Sequence, residues 1–252
     1  MKLVISVILV LLSALLSQSV FSADLQRSEV EAMLKQADKE NPANLRRKDL
    51  TNLDLSNLDF RHADLWGADL RGANLSKSNF SGLVLDLTVM VAVNLEGANL
   101  SNVSIFGVSM MRSNLSHANL SGSRVIAILD NANLSNANLT NIRWGADMKN
   151  QSMGLMRASL KKANLSGANL LNADLGRAML RHADLSHANL QNASLYSASL
   201  EGADFSGADL TGADFTHAKV NDAKFVKAKL TGAIFKNVKG KESARGLELT
   251  KN

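Results

Sequence analysis

The chain has 252 residues, 46% of them apolar and 41 of them leucine, but only two Trp, one Tyr, eight Phe, one Pro and no Cys. An ordinary core mixes branched and aromatic side chains to fill irregular spaces, so a core built on Leu and Ala demands a geometry that repeats. The absence of cysteine excludes disulfide scaffolds, thiol catalysis, thiolate metal sites and lipid attachment through a thioether.

Residues 1–23 read MKLVISVILVLLSALLSQSVFSA. Lys2 forms a positive n-region, Leu3 to Leu16 an apolar h-region, and small residues follow at Ser22 and Ala23, the layout of a secretory signal peptide. Cleavage is expected after Ser22 or Ala23, which implies an exported bacterial protein, periplasmic or secreted. The second reading is an uncleaved membrane anchor, since Leu3 to Phe21 is 19 residues long. Loss of Lys2 with the signal takes the net charge from +5 to +4.

Residues 24–42 are expected to form a capping segment. Ser28-Glu29-Val30-Glu31 has capping-box spacing with Ser28 as N-cap, and Val30, Met33, Leu34 and Ala37 recur at helical spacing. The pattern predicts a helix over 29–39, ended by Asn41-Pro42, whose apolar face covers the open end of the repeats that begin at residue 43.

From residue 43 a period of five takes over. Steps of five from Leu45 to Val125 meet 17 large apolar residues in succession, and steps from Leu155 to Phe235 meet another 17. Two residues before each centre in the later block stands Ala at 16 of 17 steps, Met153 being the exception. The residue between is usually Asp or Asn, as at Asp64, Asp69, Asn74, Asn164 and Asn169. Two residues after the centre come 11 of the 16 glycines. A period of five fits neither a continuous helix nor a continuous strand. It fits a short extended step, with Ala and Leu facing inward and Asp or Asn outward, followed by a corner at which glycine supplies a positive φ.

The pattern Ala63-Asp64-Leu65-Trp66-Gly67, repeated as Ala168-Asn169-Leu170-Leu171-Asn172, resembles the pentapeptide repeat family over about 195 of the 252 residues. The resemblance implies an all-β chain wound as a right-handed quadrilateral β-helix, a solenoid with four pentapeptides per coil and equivalent residues stacking every 20. Counting Leu129, Leu134 and Leu139 as steps gives about nine coils, hence a rod about 45 Å long at ~4.8 Å between stacked strands.

Regular repeats are expected over 43–127 and 155–237, with irregular repeats or a loop at 128–154 and a polar tail at 238–252. After Val125 the centres Leu129, Leu134 and Leu139 come one residue early, Met148 fits neither frame, and the spacing of five resumes at Leu155. The stretch 140–154, with Arg143, Trp144 and Lys149, reads either as a bulged corner or as a projecting loop that meets a partner.

Catalysis finds no foothold. His62, His117, His182, His187 and His217 lie on corners without recurrent carboxylate partners, the Asp residues recur because the motif recurs, and no phosphate loop, nucleophile elbow or metal-ligand spacing is present. The chain reads as a non-enzyme with no cofactor and no metal site.

Two surface features stand out once residues 20 apart are stacked. Trp66, Leu87, Val89, Val91, Phe106, Met111 and Ile126 would form an outward apolar patch across two faces, the signature of a contact surface. The competing reading is that the irregular run Leu83-Val84-Leu85-Asp86-Leu87 slips and turns those side chains inward. Near the C-terminus, Lys219, Lys224, Lys227, Lys229, Lys236, Lys239 and Lys241 face only Asp222. This basic collar serves either to prevent end-to-end polymerisation or to bind a polyanion such as an anionic envelope lipid or polysaccharide.

The resemblance also implies a known activity, protection of type II topoisomerases by DNA mimicry. That role calls for a cytoplasmic protein with an anionic rod and an apolar C-terminal dimerisation helix, and this chain departs on all three counts. The leading expectation is a non-enzymatic exported scaffold that mediates protein–protein contacts. The alternative is a secreted effector or toxin-like protein that acts on another cell.

Overall fold

The computed structural model describes residues 23–146 and 157–247. Residues 1–22 of the expected signal peptide, Lys149, Met153 and Leu155, and the last residues of the tail lie outside them. Among the described residues, no helix is long and apolar enough to cross a membrane.

Each pentapeptide is one short extended step and one turn. The central residue and the one two before it point inward, and the turn closes when the next inward residue donates its N–H to the centre's carbonyl, as Ala68 does to Leu65 at 2.9 Å. The last residue of the turn is left-handed at most corners, at Gly67 (φ +69°) and equally at Asn52 (φ +57°) or His182 (φ +58°). Successive coils join by parallel bridges between residues 20 apart. Each centre donates to the outward residue one coil on (Leu70 to Val89, 2.8 Å), and each outward residue donates back to the previous coil (Asn94 to Ala73, 3.0 Å). These bonds satisfy most of the backbone of the described interior coils. The product is a right-handed quadrilateral β-helix.

Each of the four faces takes its number from its inward column. Face 1 carries Leu45, Leu65, Leu85, Ile105, Val125, Trp144, Leu175, Leu195, Phe215 and Phe235; face 2 begins at Leu50, face 3 at Leu55 and face 4 at Phe60. The columns are Leu and Ala, almost all fully buried, with Phe stacked on Phe where it occurs: Phe60 on Phe80 at 4.7 Å and Phe215 on Phe235 at 4.7 Å. Each buried Leu contributes about 1.5–3 kcal/mol of transfer free energy. Where the small inward slot holds a hydroxyl, the chain satisfies it: Ser78 donates to the Leu55 carbonyl at 2.9 Å and Ser113 to that of Met90 at 2.9 Å.

At the N-terminal end, α1 (Arg27–Gln36) covers the first coil. It starts earlier than the sequence pattern suggested, with Gln26 rather than Ser28 as N-cap, and the Gln26 N–H donates to the Glu29 carboxylate at 2.7 Å. The reason is Arg27, which pairs with Glu31 at 2.6 Å and donates to the Asp54 and Ser56 carbonyls of the first coil, fixing the first turn of the helix. Val30 is fully buried, and Met33, Leu34 and Ala37 pack against the core beside Leu53 and Leu58. The short strands β1 (Ala43–Asn44) and β2 (Ala63–Asp64) pair in parallel beneath it.

The break in the middle is two separate events. Strands β3 (Ser104–Ser109) and β4 (Arg124–Ile128) pair across the corner between faces 1 and 2, which is left-handed at Gly107 (φ +70°) in β3, and their register shifts after the Phe106–Ile126 pair. One residue is missing from that corner, so the Asn ladders beyond it join residues 19 apart. The following coil is instead lengthened, and its bridged side chains lie 31 apart, as at Asn141 and Asn172. In sequence, the extra residues fall between Trp144 on face 1 and Leu160 on face 2.

Two expectations are corrected by this path. Arg143 and Trp144 do not belong to a projecting loop: the Arg143 N–H donates to the Ser123 carbonyl at 2.9 Å, and Trp144 fills an inward centre. The indole N–H of Trp144 donates to the Ser123 hydroxyl at 3.1 Å, which meets the only polar demand the ring makes inside the core. Likewise the segment after 238 is not simply a polar tail, because Lys219 bridges Lys239 and Lys224 bridges Arg245, around a short 3-10 turn at Lys241–Ser243. The last full coil has a backbone edge to satisfy, and this segment satisfies part of it whatever its side chains are.

Candidate interaction surface

On faces 3 and 4 the outward column is a continuous ladder of Asn and Asp. Each Oδ1 accepts the backbone N–H two residues on, as Asn74 does from Ser76 (3.2 Å) and Asn79 from Ser81 (3.1 Å). Many of the Asn amides then donate to the side chain one coil before, Asn94 to Asn74 and Asn114 to Asn94, both at 3.1 Å. The side chain thus holds its own turn and ties two coils together. Near the C-terminal end, the Thr211 hydroxyl and the Gln191 amide hold the Asp209 carboxyl down to about 2, with the Thr211 N–H and Lys229 adding to the effect.

Faces 1 and 2 abandon this ladder from the third coil on, face 1 returning to Asp at Asp174 and face 2 continuing with Ser159, Met179 and Ser199. In the third to fifth coils the outward slots hold Val84, Ser104 and Arg124 on face 1, and Val89, Ser109 and Ile128 on face 2. Val84 is 62% exposed, Leu87 54%, Val89 36% and Ile128 45%. Leu87 occupies the corner itself at φ +64°, a left-handed conformation that costs a bulky side chain about 1–2 kcal/mol. Just along the same corner, Val108, Ser109, Ile126, Ile128, Arg157 and Met179 border a cavity of about 390 Å³.

The sequence-based patch is therefore redrawn. Leu87 and Val89 are exposed, so the run Leu83–Leu87 does not turn them inward, while Val91, Phe106 and Met111 are half-buried. Ile126 is buried, because the shortened corner draws it under Phe106 in the ladder. Trp66 is half-buried and not a free apolar surface: the guanidinium groups of Arg46 and Arg47 lie over its ring at 4.7 and 4.8 Å. Val84 and Ile128 were missed. Their signal was a large apolar residue in the slot otherwise reserved for Asp or Asn.

The collar lysines Lys219, Lys224, Lys227, Lys229, Lys236 and Lys239 are exposed and Lys241 is half-buried. Two of them complete the ladders, Lys224 pairing with Asp204 at 2.9 Å and Lys229 with Asp209 at 3.4 Å. The histidines decorate corners. The rings of His182 and His187 lie so close over Gly202 and Gly207 that a Cβ there would meet Nδ1 at 2.3 and 2.7 Å, and His217 meets Tyr196 edge-on at 5.6 Å. Among the described residues, no group of three His, Cys, Asp or Glu side chains is arranged to hold a metal ion.

A sequence profile of the family described as pentapeptide repeats matches eight copies, at residues 43–67, 49–90, 68–105, 90–125, 158–195 and 198–237. The unmatched gap spans the shortened corner and the lengthened coil. Among solved structures, the chain is similar to HetL, a pentapeptide repeat protein involved in heterocyst differentiation regulation from the cyanobacterium Nostoc sp. strain PCC 7120. The identity is 30% over 86% of this chain and 95% of that one, with a TM-score of 0.42. Trypsin-treated QnrB1, a plasmid-mediated fluoroquinolone resistance protein, is 17% identical over 76% of this chain and 88% of that one, with a TM-score of 0.47. A pentapeptide repeat protein from the Arabidopsis thaliana thylakoid lumen is 36% identical over 30% of this chain and 56% of that one, with a TM-score of 0.22. No curated protein matches the chain.

Proposed function

Since the chain belongs to the pentapeptide repeat family, we propose that it is a non-enzymatic, exported scaffold that binds a protein partner at the corner between faces 1 and 2 of its third to fifth coils. The observation that carries this reading is the replacement of the ladder by exposed Val84, Leu87, Val89 and Ile128 at that corner. Val84, Val89 and Ile128 stand in ladder slots and forgo the side-chain bonds the ladder supplies, and Leu87, on the corner between them, adds a conformational cost of its own. Large apolar side chains exposed together in these slots trade stability for contact.

The surface is testable with V84S/L87S/V89S. The variant is expected to retain the wild-type circular dichroism and melting temperature, since exposed substitutions change stability by about 0.5 kcal/mol or less. It is also expected to lose, by ten-fold or more, the protein that the wild type captures from an envelope fraction. An unchanged capture profile overturns the surface. Export rests on the pattern of residues 1–23. A fusion of residues 1–40 to a reporter that works only outside the cytoplasm is expected to be active, and an inactive fusion overturns export while leaving the surface standing.

A further inference from the structure

We propose that the C-terminal end of the solenoid docks end-on against an anionic lipid bilayer. Over the last coils the outward slots change together: Ser199 gives way to Lys219 and Lys239, Asp204 to Lys224, Asp209 to Lys229 and Asp214 to Ile234. Residues 219–245 hold seven Lys and one Arg against Asp222 and Glu242, whereas the opposite end, residues 24–42, holds five acidic and three basic residues. The rod is therefore polar along its axis, and an anionic surface attracts one end and repels the other.

Position selects a flat partner over a linear one. Lys224 and Lys229 are engaged with Asp204 and Asp209, but among the described residues Lys219, Lys227, Lys236 and Lys239 have no carboxylate partner. These four are spread around the rod: Lys219 and Lys239 on face 2, Lys227 on the corner after face 3, and Lys236 on the turn after face 1. A linear polyanion lying along one face would reach a few of them, while a plane across the end reaches all four. Two exposed apolar side chains, Val226 (45%) and Ile234 (48%), sit in the same terminal coils. Apolar side chains ringed by lysines whose stems can reach past them to headgroups form an interfacial surface.

The test uses the mature chain, residues 24–252, and vesicles of phosphatidylcholine with and without phosphatidylglycerol. Co-sedimentation is expected only with the anionic vesicles at low salt, and is expected to vanish near ~0.5 M salt, where screening shortens to a few Å. Each lysine at an anionic surface multiplies the partition coefficient roughly five-fold, so K219Q/K227Q/K236Q/K239Q should lower it by on the order of a hundred-fold or more. The arginine counterpart, K219R/K227R/K236R/K239R, should bind as the wild type does. V84S/L87S/V89S should also bind normally, which separates this proposal from the protein-binding corner. Three results overturn it: equal sedimentation with neutral vesicles, no sedimentation with anionic vesicles at low salt even where soluble heparin is bound, or wild-type binding by the glutamine variant.

Discussion

Trp144→Ala is expected to lower the stability to urea by about 3–5 kcal/mol, the range for emptying a fully buried aromatic site. The ring is 0% exposed and continues the face 1 column, between Val125 and Leu175, in the coil that carries the extra residues. Its loss would remove the largest side chain of the core and leave the Ser123 hydroxyl, also 0% exposed, without the indole N–H it now accepts. In a solenoid each coil contacts only its neighbours, so a cavity here weakens the junction between the two halves of the rod. Trp144→Phe should recover much of the loss. A cost of less than 1 kcal/mol for the alanine variant would place Trp144 on the surface, in a projecting loop.

Ala188→Leu is expected to destabilise by about 1–3 kcal/mol or more through overpacking. Ala188 is 1% exposed and lies in line with Ala168 and Ala208, both 0% exposed, one coil to either side. The slot has a ceiling and a floor of backbone, so added methyl groups must displace a turn. The first coil supplies the contrast. Leu53 and Leu58 occupy the same slot there and are only partly buried, packed against the core at the end that α1 covers. Size is thus limited by the coils on either side and not by the motif itself, and Leu53→Ala should cost visibly less than Ala188→Leu. Urea denaturation of both variants checks the order, and the reverse order would contradict it.

Much of this architecture is legible in the chain because the inward residues must recur. A Leu column and an Ala column two residues apart leave no other use for a period of five. Legibility fails where the count changes. The missing residue at the corner of β4 costs the sequence reader the frame, so Ile126 looks outward although it lies under Phe106. Trp144 falls five residues after Leu139, in frame, but a Trp next to Arg143 and shortly before a polar run looks like surface. The start of α1 depends on Arg27 reaching carbonyls 27 and 29 residues away, a contact no local pattern encodes.

The surface is legible to the same degree and for a related reason. Leu87 and Val89 stand out because the column that should hold Gly, Asn or Asp holds Leu or Val. Trp66 stands out equally, yet its ring is occupied by Arg46 and Arg47, and only the stacking of adjacent coils reveals it. Val84 and Ile128 show the converse, since exposure in the ladder slot follows from position once the frame is known.

The central claim is that one corner of an otherwise self-satisfied rod is built to meet a protein, and site-specific photo-crosslinking in cells that export the chain tests it most directly. A photoreactive residue would be placed at Leu87, and at Asn136, an exposed left-handed corner on the opposite side of the rod (φ +56°). A discrete protein adduct is expected from position 87 and none from position 136. The same adducts from both positions, or none from position 87, would contradict it.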